Sequence, residues 1–191
     1  SEQEDFSFRS AYANLQLNNK DEAYRLFGLL SQNSKKYRNA GNFYAGYIDY
    51  TNGNYDAALR RFEGLRNHPE FGEQVAFYSA QSTFFNNKLD EAIRLADSFL
   101  KAYPRSEHNT EMYRVLGNSH YRQGRATTAI PYYENYFGST ARPLRGDAYF
   151  MGLSYMEARR FNEAVQMFQK AVGERDALTQ NAQLQIGQAQ L

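Results

Sequence analysis

The chain has 191 residues, a net charge of +1 and no cysteine. Disulfides, thiolate metal sites and thiol nucleophiles are therefore excluded, and the interspersed charges lack the basic face that a general nucleic-acid or anionic-membrane binder needs. No apolar run is long enough to span a bilayer, and aromatic residues make up 16 % of the chain, as 16 Tyr and 14 Phe without Trp.

The periodicity predicts helical pairs throughout. The first pair runs from about Asp5 to Leu17 and from Asp21 to Ser31. The second starts near Asn39, ends at Asn52 ahead of Gly53-Asn54, and restarts with Asp56 as N-cap, reaching Asn67 before His68-Pro69. A third pair covers Glu73 to Asn86, then a helix opened by Asp90-Glu91-Ala92 and ended at Tyr103-Pro104. The fourth runs from Tyr113 to Gln123, stops at Gly124 and restarts near Thr127. With Thr127 as the cap, Pro131 falls in the first turn, where a missing N–H is tolerated. The fifth covers Arg145 to Ala158 and Asn162 to Val172, and a last helix, Ala177 to Ala189, has no partner in the chain. No strand-like alternation persists, so the chain is predicted to be all-α.

A small residue recurs along these pairs: Ala11, Gly46, Ala80, Gly117, Gly152 and Gly187 are separated by 35, 34, 37, 35 and 35 residues. Ala23, Ala58, Ala92, Ala129 and Ala164 each follow twelve residues later. Such a period predicts a stacked array of helical hairpins, each touching only its neighbours. The repeats lie at about 4–38, 39–72, 73–109, 110–144 and 145–179, with the lone helix over 177–191. The chain begins Ser1-Glu2-Gln3 without Met, and its last helix carries Leu184, Ile186 and Leu191 where a terminal repeat normally carries a polar cap. Both features predict a fragment of a longer protein.

The fifth repeat, AYFMGLSYMEARRFNEAVQMFQKAV, resembles the tetratricopeptide repeat through Gly152, Tyr155, Phe161, Ala164, Phe168 and Ala171. The fourth is similar through Leu116, Gly117, Gly124, Ala129, Tyr133 and Tyr136, and the second through Gly46, Gly53, Tyr55, Ala58, Phe62 and Leu65. The first and third depart from the pattern, with Asn18 and Asn87 at the turn and Ala96 where Phe is usual. The resemblance implies a right-handed α-α superhelical solenoid, in which Phe27, Phe62, Phe99, Tyr133 and Phe168 pack between helices. The segment SFLKAYPRSEHNTEMYRVLGNSHYRQG also looks like the tetratricopeptide proteins of bacterial cell envelopes, which implies a periplasmic or envelope location, with the cytoplasm as the alternative.

In such arrays the first helices line a concave face. Positions three before, one after and four or five after each small residue give Phe8, Tyr12, Phe43, Tyr47, Tyr50, Phe77 and Phe84, then Arg114, Asn118, Tyr121 and Arg122, then Tyr149. Aromatic anchors followed by cations suit a peptide or protein partner with an acidic group. The Lys/Asn clamp by which some tetratricopeptide domains hold a carboxylate is absent, since Phe8, Tyr12 and Tyr47 occupy the matching positions. His68, His108 and His120 lie in different repeats without metal spacing, and His120 is expected to be a satisfied core or half-buried histidine. No phosphate loop or nucleophile elbow appears. The expected function is therefore a protein-binding scaffold without catalysis or cofactor; the rival is a structural segment of a larger solenoid or envelope assembly that mainly self-associates, with the last helix as the possible contact.

Overall fold

The computed structural model describes every residue from Ser1 to Leu191. The chain divides into two compact units, Ser1–Lys88 and Leu89–Leu191, at the turn of the third repeat. The first holds α1 (Glu2–Gln16), α2 (Lys20–Asn33), α3 (Arg38–Thr51), α4 (Tyr55–Phe62, prolonged by a 3-10 turn over Glu63–Leu65) and α5 (Gly72–Phe85). The second holds α6 (Leu89–Ala102), α7 (Asn109–Arg122), α8 (Ala126–Ser139), α9 (Arg145–Glu157), α10 (Phe161–Ala171) and α11 (Ala177–Ala189). Both units are stacked helical hairpins of the tetratricopeptide kind, with no strand.

One residue in each repeat takes positive φ between the paired helices: Asn18, Gly53, Asn87, Gly124 and Arg159, with values between 57° and 79°. The following residue closes the helix end with a backbone bond to the carbonyl five residues earlier, as Asn54 N does to Asp49 O at 2.8 Å and Arg160 N to Tyr155 O at 2.8 Å. Every second helix then begins two residues after the positive-φ residue. That repeat geometry, rather than local capping, sets the helix starts, and it corrects two expectations. The residue capping α4 is Asn54, and Asp56 lies inside the first turn. The residue capping α8 is Arg125 rather than Thr127, so Pro131 is the sixth helical residue and lies beyond the first turn.

Gly and Asn enter the left-handed region readily, but a side chain such as that of Arg159 costs about 1–2 kcal/mol there. Arg159→Gly is therefore expected to stabilise the second unit by about 0.5–1 kcal/mol, after the greater chain entropy of glycine is subtracted. A urea titration should show a higher midpoint at unchanged slope, and a lower midpoint would contradict the expectation.

The recurring small residue lets paired helices approach. A Cβ at Gly46 would lie 2.6 Å from the Phe62 ring, one at Gly117 2.8 Å from Tyr133, and one at Gly152 2.5 Å from Phe168. These three rings, with Phe27 and Phe99, are buried to within 1 % exposure, as the tetratricopeptide resemblance implied. In the second unit Tyr133 and Phe168 join a core that runs from Ala129 through Met151 to Ala182.

The last helix does have partners, contrary to the sequence expectation. Helix α11 packs against α10 and α9, and Arg145 fastens its start. The guanidinium donates to both carboxylate oxygens of Asp176 at 2.9 and 3.1 Å, to Thr179 Oγ1 at 2.9 Å and to the Ala171 carbonyl at 2.9 Å. Hydrogen bonds from Arg145 and from the Thr179 backbone hold the Asp176 carboxyl well below the usual carboxylate range, so this cap stays charged at neutral pH. Ile186 packs on the core while Leu184 remains 59 % exposed.

Candidate partner-binding face

The first helices of the first unit carry a ladder of rings. Phe8 stacks on Tyr37 at a centroid distance of 4.5 Å, and Tyr12 meets Tyr44 edge-on at 5.7 Å. Phe43 stacks on Phe71 at 4.6 Å, and Tyr47 meets Tyr78 at 5.3 Å. Between them lies an open groove of about 440 Å³, lined from α1, α3 and α5 by Tyr12, Leu15, Phe43, Tyr44, Tyr47, Gln74 and Tyr78, with Gln16, Asn18 and Lys20 at its edge. A second hollow of about 330 Å³ shares Tyr44 and continues past Phe8, Tyr37 and Phe71.

The expected site residues divide by burial. Tyr12 is 41 % exposed, and Phe8, Tyr47 and Tyr50 are half-buried, so these rings present a face to solvent. Phe43, Phe77 and Phe84 are between 7 and 8 % exposed, and of these three only Phe43 lines the groove, as its floor. The Tyr50 hydroxyl donates to Gln81 Oε1. Two residues that the expected stripe omits, Tyr44 and Tyr78, are among the main lining groups. Each lies two residues before its small residue and three residues before the position after it, hence on the same side of the helix. Their spacing of 34 residues is the signal that identifies them in the sequence.

In the second unit Arg114 and Asn118 belong to a buried polar network. Arg114 Nε donates to Asp147 Oδ2 at 2.6 Å and Asn118 Nδ2 donates to Asp147 Oδ1 at 3.0 Å. The Tyr133 hydroxyl completes the set by donating to Asn118 Oδ1 at 2.9 Å. Burial, then the nearby Asp147 charge, pushes the Tyr133 phenol well above its ordinary range, so it remains a donor. Arg114 thus already has an anionic partner inside its own unit, and Asn118 is 7 % exposed. Arg122 stays exposed, Tyr121 is half-buried against Phe150 at 5.0 Å, and Tyr149 packs towards Phe168 at 5.7 Å.

His120 is 7 % exposed and stacks on Tyr132 at 5.2 Å, while its Nδ1 has no hydrogen-bond partner. It is a core histidine as expected, though not a satisfied one. Burial, then Arg125, lowers its pKa and favours the neutral ring. His, Asp and Glu residues form no cluster able to hold a metal ion.

Ring-lined first helices on hairpins of this period define a tetratricopeptide scaffold, a class whose families are generally non-enzymatic. Within it, the chain belongs to the YfiO family, described as outer membrane lipoprotein, whose sequence profile matches residues 35–141. No curated protein matches the chain. Among solved structures, MamA from Desulfovibrio magneticus RS-1 superposes with a TM-score of 0.75 at 12 % identity, covering 90 % of this chain and 94 % of that one. MamA AMB-1 gives 0.71 at 18 % identity, with 88 % and 90 % covered. A tetratricopeptide repeat protein from Parabacteroides merdae gives 0.54 at 16 % identity, with 97 % and 70 % covered. At these identities the likeness establishes the fold. No helix is long and apolar enough to cross a membrane.

Proposed function

We propose that this chain is a non-enzymatic scaffold of the bacterial envelope, working in the periplasm, which holds a segment of another protein in the aromatic groove of its first unit. The observation that carries this is the groove itself, where Tyr12, Tyr44, Tyr47 and Tyr78 surround about 440 Å³ of open space. Rigid amphipathic rings of this kind anchor partners at low entropic cost, and capture of this sort needs no cofactor. Family membership supports the location. Placing a photo-crosslinking residue at position 47 in cells tests both parts. A discrete adduct that fractionates with the envelope and disappears in a Tyr12→Ala background is expected. Equal labelling from position 66, which is exposed and outside the groove, would remove the groove from consideration.

A second reading, self-association through α11, is favoured by one observation: Leu184 is 59 % exposed and Gly187 has no heavy atom within 4 Å of its would-be Cβ. Leu184→Glu should then convert a dimer into a monomer in light scattering across a concentration series. A monomeric parent would eliminate this reading. Ile186 is unsuitable for that test because it packs on the core.

A further inference from the structure

We infer that the groove of the first unit takes a proline-rich segment in the polyproline II conformation. This inference rests on the groove being the partner site and adds the chemical class of what it holds.

Three observations lead there. The first is the ring arrangement. The lining rings come from α1, α3 and α5, with Tyr12 edge-on to Tyr44 at 5.7 Å and Tyr47 edge-on to Tyr78 at 5.3 Å. Aromatic-lined grooves of this kind take proline-rich segments, whose polyproline II helix is already formed before binding and so loses little entropy on docking.

The second observation is the supply of hydrogen-bond donors. In this unit Tyr24, Tyr37 and Tyr50 direct their hydroxyls to Asp49, Asp5 and Gln81. The hydroxyls of Tyr12, Tyr44, Tyr47 and Tyr78 have no such partner within the protein. Burial, then the neighbouring Tyr12 and Glu70, raises the Tyr44 phenol above its ordinary range, and burial, then Tyr47, does the same for Tyr78. Both therefore stay protonated and able to donate. A polyproline II chain has no internal hydrogen bonds, so its carbonyls are open acceptors, and Gln74 adds an amide at the rim.

The third observation is charge. Lys20 is the one ionic side chain on the groove, and its Nζ already donates to Thr51 Oγ1 at 3.1 Å. No carboxylate lines the space, so the groove offers little to a charged ligand and favours a neutral one. Flat proline rings against tyrosine faces, with ligand carbonyls meeting the hydroxyls, satisfy both the apolar and the polar parts of the site.

The test uses fluorescein-labelled decaproline, followed by anisotropy on the whole chain. A glycine-serine decapeptide and an amphipathic, leucine-faced helical peptide serve as comparisons. Decaproline should saturate with little salt dependence, and the other two should bind at least about tenfold more weakly. Tyr12→Ala and Tyr47→Ala should each weaken decaproline by about tenfold or more. Tyr47→Phe, which keeps the ring and removes the donor, should cost about two- to fivefold. Circular dichroism checks folding, and Tyr12→Ala decides alone if Tyr47→Ala unfolds, because Tyr12 is 41 % exposed.

Failure to saturate, or binding indifferent to both substitutions, overturns the inference. If the helical peptide binds instead and loses affinity with Tyr12→Ala, the inference also falls, while the groove remains a partner site with a helical ligand. If neither peptide binds, the crosslinking result at position 47 decides separately whether the groove is a partner site at all.

Discussion

Phe168→Ala is expected to destabilise the second unit by about 3–5 kcal/mol, the usual range for removing a fully buried ring. The side chain has no exposed surface, and it lies against Gly152, where an added Cβ would come within 2.5 Å of the ring. Glycine has no side chain with which to refill the space, so collapse would require α9 and α10 to move together. The pair also predicts its own coupling. Gly152→Ala alone should destabilise, because the ring has to yield, whereas in the Phe168→Ala background the added methyl occupies part of the cavity. A double-mutant cycle should therefore give an interaction energy of about 1 kcal/mol or more. Urea denaturation supplies the energies, and amide exchange supplies the location: faster exchange should concentrate in α9 and α10, since repeats depend mainly on their neighbours. A loss below about 1 kcal/mol would show that the ring is not packed as described.

The same glycine illustrates what the sequence makes legible. A residue that must let two backbones approach has to be small in every repeat, so Gly46, Gly117 and Gly152 mark the helix crossings before any coordinates are known. The last helix is equally clear, because Ala177–Ala189 follows from its own periodicity. Helix starts are less legible. Asp56 and Thr127 have the chemistry of caps, yet the starts follow the positive-φ turn, and at Arg159 that turn is occupied by a residue with no propensity for it. Only the repeat alignment would have found it there.

The candidate groove is half legible for a related reason. Counting from the small residue finds Tyr12 and Tyr47 but stops short of Tyr44 and Tyr78, which the same helix face carries one turn earlier. Counting also cannot separate a ring that floors the groove from one that faces solvent. Phe43 and Tyr47 are four residues apart on one helix and both line the groove, and only their surroundings distinguish them: Phe71 stacks on the first and leaves it 8 % exposed, while Tyr47 is half-buried.

Asp147→Ala is expected to cost the second unit about 3 kcal/mol, the lower end of the range for breaking a buried ion pair by removing one partner. Asp147 is 4 % exposed and accepts from both Arg114 and Asn118. Its removal strands a guanidinium and a buried amide. The loss stops short of the largest values because the Arg114 side chain retains 22 % exposure and has Glu111 at 3.5 Å. Asp147→Asn preserves the shape but leaves only a neutral amide oxygen facing the guanidinium, and should cost about 1.5–3 kcal/mol. The informative variant is the double substitution Asp147→Leu with Arg114→Met, which removes both charges and should recover most of the loss, as apolar replacement of buried pairs commonly does. Urea midpoints at low and high salt distinguish the cases, since a pair this buried should be nearly insensitive to screening. If the double variant is as unstable as the single, the carboxylate matters for its bond to Asn118 and, through it, Tyr133. If the single variant is almost neutral, Arg114 is free to leave Asp147, and the acidic-partner role expected from the sequence becomes available to it again.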